Sequence, residues 1–289
     1  MESKGRVHLQ IPYFWHCMSL TPQQPIGIFD SGIGGLTVAN AIARLLPNEK
    51  LVYFGDTAHL PYGDKSPQAI KKYSVRIADF LLEQGCKTVI IACNTASASA
   101  FAAVKKQVGS RALVMNVIDP VVRYVAEHHS TNKVGVIGTK GTINSRVYVR
   151  KLQKLSKKMR VVSRATPLLA PMIEEGFFNN YISRTVIHSY LNRKPFIDID
   201  ALILACTHYP LIKKEVRAYY GPRVAIVDSA EIVAQSIRAK LAKQGLLSTG
   251  ARKPSHRFYV SDYTASFEES TRYFFKDQVQ LKKLDLWKG

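Results

Sequence analysis

Short apolar runs alternate along this chain with longer stretches in which apolar residues recur every three or four positions. The runs around Ile26–Phe29, Leu51–Phe54, Val89–Ala92, Val134–Ile137 and Leu202–Ala205 are too short for independent helices and end in glycine or small polar residues. They read as parallel strands buried on both faces, where the usual in-out alternation is lost. The pattern predicts a strand at 26–30, a helix near 35–46, a strand at 51–54, an exposed turn-rich loop over 55–63, a helix near 67–84 and a strand ending at Cys93. A strand at 113–117 follows. The second half reads as a strand at 133–137, a helix near 144–158, a strand at 160–163, a Pro-bracketed loop at 167–171, helices, a strand ending at Cys206, a strand at 223–227 and a helix near 230–244.

This order is a repeat. Ile26-Gly27-Ile28-Phe29-Asp30-Ser31-Gly32 is echoed by Val134-Gly135-Val136-Ile137-Gly138-Thr139-Lys140-Gly141, and corresponding features recur at an offset of about 110 residues. The expected architecture is α/β: two pseudo-symmetric, doubly wound (flavodoxin-like) domains with mainly parallel sheets and the active site at their interface. Residues 1–24, irregular and containing Pro12 and Pro22, read as an extension outside the core, with Met18 an alternative start. The strand at 113–117 marks a crossing, and the C-terminal stretch returns to complete the first domain. The boundaries expected are 25–117 plus 226–289 for the first domain and 118–225 for the second.

Each half carries a cysteine at the end of a strand, in Val89-Ile90-Ile91-Ala92-Cys93-Asn94-Thr95 and Leu202-Ile203-Leu204-Ala205-Cys206-Thr207-His208. Open α/β sheets bind ligands at the carboxyl ends of their strands. Asn94, Thr95 and Thr207 are cap-forming residues, so a helix is expected to start after each thiol, its positive end favouring the thiolate. A single buried cysteine is more often a small core residue than a reactive group. The repetition argues otherwise, since core packing does not ask for a thiol at both places. Two thiols facing each other across an interface suit removal of a proton from one face of a carbon and its return to the opposite face. That is stereochemical inversion, with thiolate as base, thiol as acid and no cofactor required. An ordinary thiol is a few per cent ionised at neutral pH, and lowering its pKa from about 8.5 to about 7 takes roughly 2 kcal/mol. The turn Asp30-Ser31-Gly32-Ile33-Gly34-Gly35 lacks both dinucleotide-loop spacing and the Lys-Ser/Thr pair of a P-loop. Its amides, converging at a helix start, suit a small carboxylate instead.

Composition narrows the classes. With 289 residues, 46% of them hydrophobic, the chain can bury the cores of two domains. The longest apolar stretch near its start, Ile11 to Met18, is broken by Pro12 and His16, so neither a membrane span nor a cleavable signal peptide is expected. Cys17, Cys86, Cys93 and Cys206 form neither a disulfide framework nor a zinc-ligand pair, which points to reduced thiols in a cytoplasm and no metal. The net charge of +20 raises nucleic acid as a partner. Its densest patch, Arg150 to Arg164, has seven basic residues and no acidic one. Leu152, Leu155 and Met159 fall at helical spacing there, so it reads as an amphipathic helix with a solvated basic face, and polyanion binding as a secondary property.

Four ordered motifs carry a resemblance: Phe29-Asp30-Ser31-Gly32-Ile33-Gly34-Gly35-Leu36-Thr37-Val38, Pro61-Tyr62-Gly63, Ala92-Cys93-Asn94-Thr95-Ala96 and Ala205-Cys206-Thr207-His208-Tyr209-Pro210-Leu211. Together they resemble the glutamate racemases of the cofactor-independent aspartate/glutamate racemase superfamily, from about Pro25 to the helix after Asp228. The resemblance implies interconversion of L- and D-glutamate without a cofactor, supplying D-glutamate for peptidoglycan in a bacterial cytoplasm, by a homodimer. It makes Cys93 and Cys206 the proton donors and acceptors. Asp30, Ser31, Tyr62, Gly63, Asn94, Thr95, Thr207 and His208 match positions that line the family's substrate pocket, and Glu174 resembles its supporting acid, with Glu175 the competing choice. Taken alone, Asp30 and Thr207 are equally helix caps, Tyr62-Gly63 a turn and His208 a structural histidine. The chain departs from the family pattern at His59, where arginine is common, in its extension and in its charge. Three other readings stand beside this one: a racemase for another small acidic amino acid such as aspartate, a cysteine hydrolase with His208 as base, and a basic nucleic-acid-binding protein.

Overall fold

The computed structural model describes residues 19–130, 132–250, 254–275 and 279–288. The first half runs β1 (Ile26–Asp30), α1 (Leu36–Leu45), β2 (Leu51–Gly55), α2 (Pro67–Glu83), β3 (Thr88–Ile91), α3 (Asn94–Val108) and β4 (Leu113–Asn116). Helix α4 (Ile118–His128) crosses to the second half, which runs β5 (Lys133–Gly138), α5 (Lys140–Asn144), α6 (Val147–Leu155), β6 (Arg160–Ala165), α7 (Leu169–Glu174), α8 (Tyr181–Leu191), α9 (Lys194–Ile197) and β7 (Ala201–Ala205). Then come α10 (Lys213–Tyr220), β8 (Ala225–Asp228), α11 (Ser229–Lys243), β9 (Arg257–Val260), α12 (Ala265–Phe274) and β10 (Leu281–Lys283).

The strands form two sheets, ordered β10-β9-β2-β1-β3-β4 and β6-β5-β7-β8, and every pairing is parallel. Four strands of the first sheet, β2-β1-β3-β4, repeat the order of the second, so the sequence repeat is a repeat of topology. In each, the first strand of the half lies between the second and third, which places a switch point at its carboxyl end. Successive residues feed opposite faces: Ile28 and Tyr53 pack with the α1 side, Phe29, Val52 and Phe54 with the α2 side. The α1-side cluster continues through Leu202 and Leu204 of β7, so one core joins the two sheets. Apolar residues on both faces are why these strands read as runs rather than alternations.

Several expectations change. The boundary at 225/226 cuts β8, whose residues 226–228 pair with β7 in the second sheet; the chain returns to the first sheet at β9, beyond α11. The helix expected near 144–158 is α6, which begins only at Val147 because Arg146 takes a left-handed φ of 54°, and a short separate helix, α5, precedes it. The Pro-bracketed loop at 167–171 is mostly α7, whose first turn tolerates Pro171. Leu152 of α6 is buried as expected, but Leu155 is 55% exposed, and Arg150, Lys154, Lys157, Lys158 and Arg160 are solvated. Residues 1–18 of the extension, with Cys17 and Met18, lie outside the described residues. Its last part does not stay clear of the core: Leu20 packs on it and the Pro22 carbonyl accepts from Lys87.

Lys87 is a buried pin at the base of the first sheet. Its Nζ donates to Glu49 Oε2 at 2.7 Å, to the Leu246 carbonyl at 2.8 Å and to the Pro22 carbonyl at 2.6 Å, while Glu49 Oε1 accepts from the Ser248 amide at 2.8 Å. Three distant segments thus share one desolvated pair. Lys87→Met, which leaves Glu49 buried and unpaired, is expected to lower stability by about 3–5 kcal/mol, read as a shift in the urea midpoint.

Candidate active site

Cys93 follows β3 and is itself the N-cap of α3. Its Sγ accepts from the Ala96 amide at 3.4 Å and donates to Ser31 Oγ at 3.7 Å, so the capping role expected of Asn94 and Thr95 falls to the thiol. The expected ease of ionisation does not follow. Burial first, and then the nearby Asp30 carboxylate, push the thiol up to about 12, against the opposing pull of the Ala96 amide and Ser31. Desolvation outweighs a single helix start. Asp30, fully buried, sits behind the glycine turn rather than on the cavity wall. Its Oδ2 accepts from the amides of Gly32 at 3.2 Å and Gly35 at 2.9 Å, which occupies amides expected to meet a ligand carboxylate. Its Oδ1 has no partner. Burial raises the Asp30 carboxyl above its ordinary value, opposed by His208 and those amides.

The second thiol has a different neighbourhood. Cys206 Sγ lies 3.7 Å from His208 Nδ1, and His208 Nε2 lies 2.8 Å from Glu174 Oε1 at the end of α7. Burial opposes the imidazolium, but contacts with Cys206 and Glu174 outweigh it and hold the His208 pKa well above its usual value. Glu175 is exposed. No helix begins at Thr207: a 3-10 turn over Tyr209–Ile212 precedes α10, and the Thr207 carbonyl accepts from Thr37 Oγ1 of α1 at 2.9 Å, tying this loop to the first half.

Both thiols line one cavity between the halves, near enough for Cys206 to act electrostatically on Cys93. Ser31, Tyr62, Gly63, Asn94, Thr95, Glu174, Thr207 and His208 line it too. The Tyr62 hydroxyl is turned away, donating to Asp56 Oδ2 at 2.6 Å. Asn94 Oδ1 accepts from Tyr148 at 2.7 Å, and its Nδ2 is a buried donor without a partner. Thr95 Oγ1 contacts Thr139 Oγ1 at 2.8 Å across the interface. Gly63 is required there: a Cβ would lie 2.9 Å from the Thr139 Cβ. The cavity measures about 50 Å³, well below ordinary ligand pockets. Admission of an amino acid therefore requires the walls to part.

Residues the sequence reading missed include Thr139, Leu60, Pro61, Ala170 and Pro171 on the wall, and Asp56 behind it. For Thr139 a signal existed, since it occupies the place in the second half that Ser31 holds in the first. Among the described residues no cluster of His, Cys, Asp or Glu is set to hold a metal ion, and no helix is long and apolar enough to cross a membrane.

Residues 29–237 match the family model described as Asp/Glu/Hydantoin racemase. The chain belongs to that family. A glutamate racemase of Geobacter metallireducens is 42% identical over 246 residues, 85% of this chain and 90% of that protein. The glutamate racemase of Francisella tularensis, solved in complex with D-glutamate, superposes with a TM-score of 0.85 at 38% identity, over 92% of this chain and 99% of that one. An aspartate racemase of Picrophilus torridus, at 19% identity and a TM-score of 0.56 over 76% of this chain and 94% of that one, shares the fold.

Of the two candidate acids, Glu174 is the one that reaches His208. Glu174→Gln is expected to lower kcat/KM roughly tenfold, as loss of a charge-assisted hydrogen bond to a buried group does. Glu175→Gln is expected to leave it unchanged. Steady-state kinetics on both variants checks the assignment.

Proposed function

We propose that the chain interconverts L- and D-glutamate by a two-base transfer, with Cys93 and Cys206 on opposite faces of the α-carbon. The observation that carries this reading is the shared cavity, which meets one thiol from each half of a duplicated fold. Glutamate racemases among its relatives support the substrate. Of the site residues, Ser31, Asn94, Thr95 and Thr207 bind the substrate's charged groups from the wall, Asn94 through its free Nδ2, and Tyr62 and Gly63 shape the wall. Asp30 and His208 act on the adjoining thiols rather than on the substrate's carboxylates.

The two thiols are unequal at rest. Cys93, held up at about 12 by burial, stays protonated and carries the proton to be delivered. Cys206 has a cation, His208 backed by Glu174, beside its sulfur to stabilise negative charge. In one direction Cys206 removes the α-proton while Cys93 delivers its own to the opposite face; in the other the roles exchange. The reading carries with it a homodimeric enzyme of a bacterial cytoplasm that supplies D-glutamate for peptidoglycan. Racemisation in deuterated water tests it. Inversion seen by circular dichroism should accompany one solvent deuterium at the α-carbon of the product, and inversion without deuterium would sink the mechanism. L-aspartate assayed in parallel decides between the two acidic substrates.

One observation favours a second reading. Cys206, His208 and Glu174 form the chain of contacts that a thiol nucleophile uses in acyl transfer. That chemistry leaves Cys93 without a task. A thioester trapped on Cys206 and found by mass spectrometry, with no deuterium at the α-carbon, would select it.

A further inference from the structure

The wall that carries Tyr62 and Gly63 is held from behind. Asp56, fully buried, receives Tyr62 at 2.6 Å and Ser261 Oγ at 2.8 Å, and its carboxylate lies 3.0 Å from His59 Nδ1. The Ala58 amide donates to the same Ser261 Oγ at 2.9 Å, and the Asp262 amide donates to Thr57 Oγ1 at 2.8 Å. Segment 56–63 is therefore pinned by residues just past β9, about 200 positions away in the chain. Beyond β10 the chain turns back toward the same place. Trp287 presents to His59 edge-on at 4.6 Å and to Tyr73 of α2 at 5.2 Å, while His59 stacks on Tyr73 at 4.0 Å. Tyr73 in turn meets the Tyr62 ring at 5.9 Å.

We propose that the C-terminal segment is a strap for this wall: Trp287 fixes His59 on Asp56, and through that carboxylate fixes Tyr62 and Gly63 in the cavity. Trp287 touches neither thiol and is a positioning residue. Its ring contacts are with His59 and Tyr73 rather than with Cys93 or Cys206. Its loss loosens the substrate-binding wall and leaves the proton-transfer groups in place. The expected signature is a KM effect without a matching kcat effect.

This rests on the function proposed above, and two measurements separate them. In glutamate racemisation, Trp287→Ala should raise KM about three- to tenfold, the range that one lost aromatic edge contact spans, with kcat within about twofold. Trp287→Phe, which keeps an edge for His59, should return KM to near the unmodified value. Hydrogen exchange is independent of any substrate. In Trp287→Ala the amides of residues 57–63 should exchange faster while those of residues 93–97 stay unchanged. Unchanged exchange at 57–63 overturns the strap whatever the substrate. So does an unchanged KM, or a fall in kcat alone, once the unmodified protein is seen to racemise glutamate. Absence of that racemisation overturns the proposed function and leaves the strap to be decided by exchange.

Discussion

Cys93→Ala and Cys206→Ala are each expected to lower racemisation by at least about 10³-fold, because each removes a group that must itself take or give the proton. Full turnover in either variant would end the two-base mechanism. The variants should also differ in kind. With one thiol left, the α-proton of only one enantiomer faces a base, and it can be returned only to the face it came from. Solvent deuterium should therefore enter one enantiomer without inversion in Cys93→Ala and the other enantiomer in Cys206→Ala. A single-nucleophile hydrolase predicts no such pairing. Cys86 supplies the control: it is buried in the turn just before β3, outside the cavity, and its replacement by alanine should leave turnover nearly intact. Proton NMR of the α-hydrogen in deuterated water reads all three variants together.

The duplication was legible because parallel strands buried on both faces leave a strong local mark, a run of apolar residues closed by glycine or a polar turn. Two such runs ending in cysteine mark the thiols as equivalent strand ends in the sequence itself. What the sequence could not show was competition between nearby groups for the same donors. Asp30 takes the Gly32 and Gly35 amides that looked free for a ligand, and the Tyr62 hydroxyl belongs to Asp56. Helix-start reasoning also misjudged Cys93, since a local motif reports the favourable dipole but not the desolvation that tertiary burial imposes. Thr207 fails as a cap for a related reason: Pro210 directs the chain into a 3-10 turn, and the Thr207 carbonyl is held by α1 of the other half. The boundary error at β8 came from reading segment order without pairing, which only the register with β7 supplies.

Gly34→Ala is expected to cost about 10²-fold in kcat/KM, the effect of displacing a positioned group by about 1 Å. A Cβ on Gly34 would stand 2.4 Å from His208 Cε1, 2.5 Å from its Nδ1 and 2.7 Å from Thr207 Oγ1, closer than real atoms approach. The imidazole cannot give way freely. Its far side is held by Glu174 at 2.8 Å and its ring meets Phe274 edge-on at 5.4 Å. The strain therefore falls on the 3.7 Å contact between His208 and Cys206, so the cation that stabilises charge on that sulfur moves while both thiols remain. Gly32→Ala is the matched control from the same turn, since its Cβ would meet only Leu60 Cδ2, at an ordinary 3.6 Å. Gly32 also lines the cavity, so that variant is expected to raise KM, but its kcat should stay within about threefold of the unmodified protein, because a contact at van der Waals distance leaves His208 where it is. If the two variants lose activity equally at equal melting temperature, the close approach of Gly34 to His208 is not what poises Cys206, and the stabilising cation must be sought elsewhere.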